Sequence, residues 1–167
     1  MKRVFFILTV ILITLIVVAY FLASKKENGI ESNLKMQLEE LLKLEPLNRK
    51  LTLNSTRKLV ILFSPDCDLC EEEFQSIDRN FDKIPDIQII LISPYPRIQV
   101  DNFVRKYNFC KSSSTTVLLG NHNFLNRMFD QYSFPTIFIV DENNRVNRRF
   151  NDVISIKAIY RQLQVIN

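Results

Sequence analysis

The sequence predicts an α/β domain, a mixed sheet flanked by helices, behind an N-terminal transmembrane helix. Three observations carry this. Strand-like and helix-like segments alternate from residue 51 onward, and the chain closes on a β-hairpin followed by one more helix, a succession that implies a sheet of mixed direction. Val4 to Ala23 is an apolar run relieved only by Thr9 and Thr14. Its length matches the roughly 20 residues that a helix needs to cross a bilayer.

A soluble amphipathic helix would carry a polar face, and the Val4–Ala23 run has none. Cleavage as a signal peptide after Val17-Val18-Ala19 is the alternative. An uncleaved anchor fits better, because the run continues through Tyr20, Phe21 and Leu22. No cysteine follows closely, so a lipid-modified terminus is not supported. Lys2 and Arg3 precede the run, and Lys25, Lys26 and Glu27 follow it. The positive-inside rule then places the N-terminus in the cytoplasm and the domain on the extracytoplasmic side.

Residues 25–45 read as a linker containing Gly29 and then an amphipathic helix, Glu31 to Leu44, with leucines at 34, 38, 41, 42 and 44. Pro46 ends it. This helix either packs on the domain or stands it off the membrane. The folded domain spans 46–167. Leu51 to Leu53 and Lys58 to Phe63 are expected strands. A helix from Cys67 or Asp68 to Phe81 follows, then a strand over Ile87 to Ile92 closed by Ser93-Pro94. Arg97 to Tyr107 is expected as helix, Thr116 to Leu119 as strand and Asn123 to Gln131 as a short helix. Thr136 to Val140, the turn Asp141 to Asn144, and Arg145 to Phe150 form the hairpin. Val153 to Ile166 is the closing helix.

Composition excludes several classes. The formal charge is +4, with Lys2 and Arg3 in the flank of the apolar run. The remaining basic and acidic residues nearly balance, and no basic tract suggests nucleic acid. Only two glycines occur in the chain, which leaves no phosphate-cradling loop. Three cysteines do not make a disulfide scaffold.

The chemistry lies in Cys67 and Cys70. A strand delivers this Cys-x-x-Cys pair to the first turn of a helix. There one sulfur meets unpaired backbone N–H groups that stabilise a thiolate. The second cysteine lies on the same face, within reach for a disulfide. A structural disulfide or half a metal site is the competing reading. Zinc would have to recruit Cys110 and His122, the only histidine, at spacings that match no known pattern; no metal and no cofactor are expected. Cys110 itself reads as a semi-buried small apolar residue. Tyr95, between Pro94 and Pro96, reads as a turn residue.

Cys67 is expected as the exposed nucleophile. Cys70 shares an apolar face with Phe74, Ile77 and Phe81, so it is expected as the buried resolving thiol. Relative to Cys70 at 100° per residue, Glu73 lies about 60° to one side, while Glu71 and Glu72 point away. Asp66 as helix N-cap would compete for the N–H groups that Cys67 needs. With Asp68 and Glu71 to Glu73 it makes the surroundings acidic. That destabilises a thiolate and favours a reductant.

Residues 59–74, from Leu59 through the cysteine pair to Phe74, together with Phe134 to Asp141, resemble the paired motifs of the thioredoxin fold. Within that fold they resemble the membrane-tethered TlpA/ResA-like thiol–disulfide oxidoreductases. Val100 to Tyr107 and Asn126 to Tyr132 resemble the intervening helices. The resemblance covers about residues 46–167. It implies that Cys67 and Cys70 are catalytic and that Pro135 follows a cis bond. It also implies that Phe134 and Pro135 offer an edge to an extended substrate. Without the resemblance, Pro135 reads as an ordinary trans proline opening a strand. Glu73 falls where the family has an active-site glutamate, a proton acceptor for Cys70; the other reading is a solvated first-turn glutamate. Asp66 stands where the family has Trp, on the substrate-facing surface. Asn143-Asn144 replace the family's turn glycine and tolerate positive φ. Implied partners are protein disulfide or dithiol substrates and an upstream thiol donor, with the membrane bound through residues 4–23. No nucleic acid is expected, and the chain is expected to be a monomer. The other class of reading is a redox-inactive binding module on the same fold.

Overall fold

The structure, a computed structural model, describes residues 13–14, 38–84 and 86–164. The expected span at 4–23 therefore lies outside the described residues, apart from Ile13 and Thr14. Among the described residues no helix is long and apolar enough to cross a membrane.

Six strands form one sheet in the order β1-β4-β3-β2-β5-β6: β1 (Glu45–Pro46), β2 (Lys58–Leu62), β3 (Gln88–Ser93), β4 (Thr115–Leu119), β5 (Thr136–Val140) and β6 (Val146–Phe150). β2, β3 and β4 run parallel, while β1, β5 and β6 are antiparallel to their neighbours. The sheet is mixed, as expected. The helices are α1 (Asp68–Asn80), α2 (Arg97–Val104), α3 (His122–Phe129) and α4 (Ile156–Gln164).

The central strands β2, β3 and β5 are buried at every position, because both faces of the sheet are covered. Alternation assigns each side chain to a face. Leu59, Ile61, Ile89, Leu91, Ile137 and Ile139 meet α1, α2 and α4 through Phe74, Phe103 and Ile159. Val60, Leu62, Ile90, Ile92, Phe138 and Val140 meet α3 through Leu125 and Phe129. Leu38 and Leu41, in a helical turn over residues 38–41, are buried in this second layer. The described part of the amphipathic segment, from Leu38 onward, thus packs on the domain, and the packed body extends N-terminal of residue 46.

Three expectations are corrected. Leu51 to Leu53 is not a strand; the Thr52 carbonyl accepts from the Gln88 side-chain amide at 2.7 Å rather than from a neighbouring strand. Pro46 does not merely end a helix. It sits in the edge strand β1, opposite Leu118, where a proline costs no ladder bond. The closing helix starts at Ile156 rather than Val153, because the Ile154 N–H is committed to Glu73 and Ser155 caps the first turn. The hairpin turn is as expected, with Asn144 at φ 63°. Asp141 Oδ1 closes it, accepting from the backbones of Asn143 and Arg145.

Candidate functional site

β2 ends at Leu62, and α1 begins after five intervening residues, so the cysteine pair stands at the carboxyl edge of the parallel strands. The N-cap is Cys67, extended at φ −110° and ψ 114°. Its sulfur accepts from the Cys70 N–H at 3.3 Å. A free N–H at the helix start is thereby satisfied by sulfur, which is the setting that favours a thiolate. The expectation that Asp66 caps the helix is not met. Its backbone N–H turns back to Ser64 Oγ at 3.3 Å, and its carboxylate is exposed.

Cys67 is half-buried and Cys70 fully buried; both are free thiols. Burial first, and then the hydrogen bond with Cys67, push the Cys70 thiol well above its ordinary range. Cys70 packs in one cluster with Phe74 and Ile77, as the helical spacing predicts. Phe74 in turn lies 4.9 Å from Phe63 and 5.0 Å from Phe103, ring centre to ring centre, fixing α1 to the sheet.

The Phe134–Pro135 bond is cis. It brings the Phe134 carbonyl to 3.4 Å from Cys67 Sγ, with the thiol donating. β5, which Pro135 precedes, is paired to β2, which the cysteines follow, and this puts two segments 67 residues apart in sequence side by side.

Glu73 is 0% exposed, which overturns the solvated reading. Oε2 accepts from the Ile154 N–H at 2.9 Å, while Oε1 is buried with no hydrogen-bond partner. Burial lifts the carboxyl from an ordinary 4.5 to about 7, against the pull of the Ile154 hydrogen bond and with a small push from Glu72. Its charge in turn raises the Cys70 thiol. A buried thiol and a buried carboxyl thus lie behind the half-buried Cys67 sulfur, and the carboxylate's charge opposes ionisation of the Cys70 thiol.

Cys110 is buried in the core, where burial pushes its thiol up. It stands apart from the pair. Tyr95 is more than a turn residue: its ring lies edge-on to Phe134 at 6.1 Å and to His122 at 5.7 Å. Sequence spacing gives no sign of this, since Tyr95, His122 and the Tyr132–Phe134 stretch come from three segments far apart in the chain. The Ile154 amide that holds Glu73 is likewise invisible to it, being a backbone group 81 positions away.

No protein-family model matches the chain, and no curated protein matches it. Solved structures do. The chain is similar to a secreted Mycobacterium tuberculosis disulfide oxidoreductase homologous to E. coli DsbE, at 15% identity over 76% of this chain and 98% of that one, TM-score 0.62. It is similar to a thioredoxin-like protein from Aeropyrum pernix at 15% identity, 78% and 96% coverage and TM-score 0.60. StoA from Bacillus subtilis matches at 11% identity, 67% and 85% coverage and TM-score 0.55. At these identities the likeness speaks for architecture. With the cysteine pair at the helix start and the cis proline facing it, the chain has the thioredoxin fold.

Proposed function

We propose that this chain is an extracytoplasmic, membrane-tethered thiol–disulfide oxidoreductase that reduces protein disulfides. The observation that carries the reading is the placement of Cys67 Sγ between the Cys70 N–H and the Phe134 carbonyl, with Cys70 buried behind it. The Cys67 thiolate attacks one sulfur of a client disulfide and expels the other as a thiolate. Cys70 gives its proton to Glu73, attacks Cys67, and releases the second client thiolate. The client gains two electrons, the chain is left with a Cys67–Cys70 disulfide, and an upstream thiol donor restores the dithiol. Glu73 suits the proton transfer because its carboxyl is poised near neutrality, where an acceptor works best. Phe134 and Pro135 supply the edge along which an extended client pairs, and Asp66 borders it.

The reducing direction rests on exposed Asp66 and Asp68 and on Glu71 to Glu73 around the pair, whose charges oppose a thiolate. Tethering rests on Val4 to Ala23. The test is insulin reduction by the full chain in detergent, compared with Cys67→Ser. The wild type should turn over and the variant should not. Equal inertness of the two establishes the redox-inactive binding module instead. Equilibration with glutathione tests direction, and a potential near about −120 mV, the value of the strong oxidant DsbA, refutes a reductant.

A further inference from the structure

Four aromatic rings from three separate segments close a cycle beside Cys67. Phe134 lies between Tyr95, at 6.1 Å, and Tyr132, at 5.3 Å. His122 joins the two outer rings: its ring meets Tyr95 at 5.7 Å, and its Nδ1 is hydrogen-bonded to the Tyr132 hydroxyl at 2.9 Å. The three ring contacts are all edge-to-face, with interplanar angles of 73°, 61° and 62°. That is the geometry ring quadrupoles favour, and it resists sliding in a way that plain apolar contact does not. Tyr95 follows β3, His122 opens α3 behind its Asn121 cap, and Tyr132 and Phe134 lead into β5. The cycle therefore ties the ends of three strands to the residue whose carbonyl faces the Cys67 thiol.

We infer that His122 is a positioning residue of the redox site, acting through Tyr95 and Tyr132 to hold Phe134 as a fixed pairing edge for the client backbone. His122 is exposed and fills no core, so packing alone does not explain its two contacts. The chain has no Trp to brace the cysteine loop. Burial and the neighbouring Tyr95 keep the Tyr132 hydroxyl protonated, so it remains available as a partner for Nδ1. A client pairing with a mobile Phe134 edge would have to order it on binding, and that ordering weakens association.

The inference rests on the reductase reading, and the experiment separates the two. Full chain in detergent is assayed on insulin, which must lie along the Phe134 edge, and on a small aromatic disulfide, which needs only Cys67. His122→Ala and Tyr132→Phe should each raise the insulin KM relative to that of the small disulfide by about fivefold, the scale of one hydrogen bond. The double variant should be no worse than His122→Ala alone, because that substitution already removes the hydrogen bond that Tyr132→Phe removes. His122→Gln, whose amide can still meet the Tyr132 hydroxyl, should recover most of the loss. If His122→Ala does not fold, Tyr132→Phe, which removes one hydroxyl from a partly exposed ring, decides the matter alone. Equal effects on both substrates, no effect on either, or additive losses overturn the inference. A wild type inert toward both substrates overturns the reductase reading and the inference with it.

Discussion

Glu73 is only half-ionised at about pH 7, because the helix turn that places it beside Cys70 also removes it from water. In the unfolded chain the same carboxyl ionises near its ordinary 4.5. Between those values the native state holds a proton that the unfolded state has lost. Stability therefore falls as pH rises through this window and levels off above it. The full effect is about 3 kcal/mol, a large share of a typical domain's stability. Glu73→Gln keeps the shape and an oxygen for the Ile154 N–H but has no proton to lose. In urea titrations at pH 4 and pH 8, the variant should gain about 2–3 kcal/mol on the wild type at the higher pH. Parallel stability profiles would remove burial as the cause of the raised carboxyl. The same substitution should slow release of the mixed disulfide, since Cys70 loses its proton acceptor. The gain in stability and the loss in turnover come from one buried charge.

Elements were legible in proportion to how much of their reason is local. β2, β3 and β5 announce themselves as apolar runs, and the hairpin turn by Asp141 and the two asparagines that follow Glu142. The sequence places the start of α1 to within a residue but points to Asp66 as the cap, a role the sulfur of Cys67 fills. β1 is silent in the sequence, since two residues containing a proline carry no periodicity and become a strand only by lying against β4. Asn48 is equally silent. Its Oδ1 accepts from the Val117 N–H at 3.0 Å, and its Nδ2 donates to the Thr115 carbonyl at 3.1 Å. It thereby continues the edge pairing beyond Pro46. The ion pair of Glu45 with Arg97, 2.6 Å apart, lies on the same edge but is exposed on both sides. Such a pair contributes at most about 1 kcal/mol, whereas stranding two strand groups costs about 1–3 kcal/mol. Asn48→Ala should therefore lower the unfolding free energy by about 2 kcal/mol, and Glu45→Gln by less than about 0.5 kcal/mol. A reversed ranking in equilibrium urea unfolding would show that charge, and not the side-chain amide, holds β1 in place.

At the scale of the whole molecule, the domain offers little of its own to a bilayer. Its exposed large apolar side chains among the described residues are Leu42, Leu69 and Ile98, each from a different part of the chain. Leu69 sits between the two cysteines, where a client rather than a lipid would meet it. On the proposed tethering, membrane attachment falls to Val4–Ala23. At 1.5 Å per residue, a helix of about 20 residues matches a hydrocarbon core of about 30 Å. Attachment by such a span is insensitive to salt and alkali, whereas attachment through surface charge is screened within about 10 Å at 0.1 M salt. The full chain should stay in the membrane pellet through both high-salt and carbonate washes. Proteolysis in the polar stretch around Lys25 to Ile30 should release the domain into the supernatant with Leu38 and Leu41 still in its core. Protease added to intact protoplasts should achieve the same release if the domain faces outward. Release of the uncut chain by carbonate would remove the anchor. Protection of the linker in intact protoplasts would place the redox site on the reducing side of the membrane, where thioredoxin and glutathione keep thiols reduced and a tethered disulfide reductase has few stable disulfides to act on.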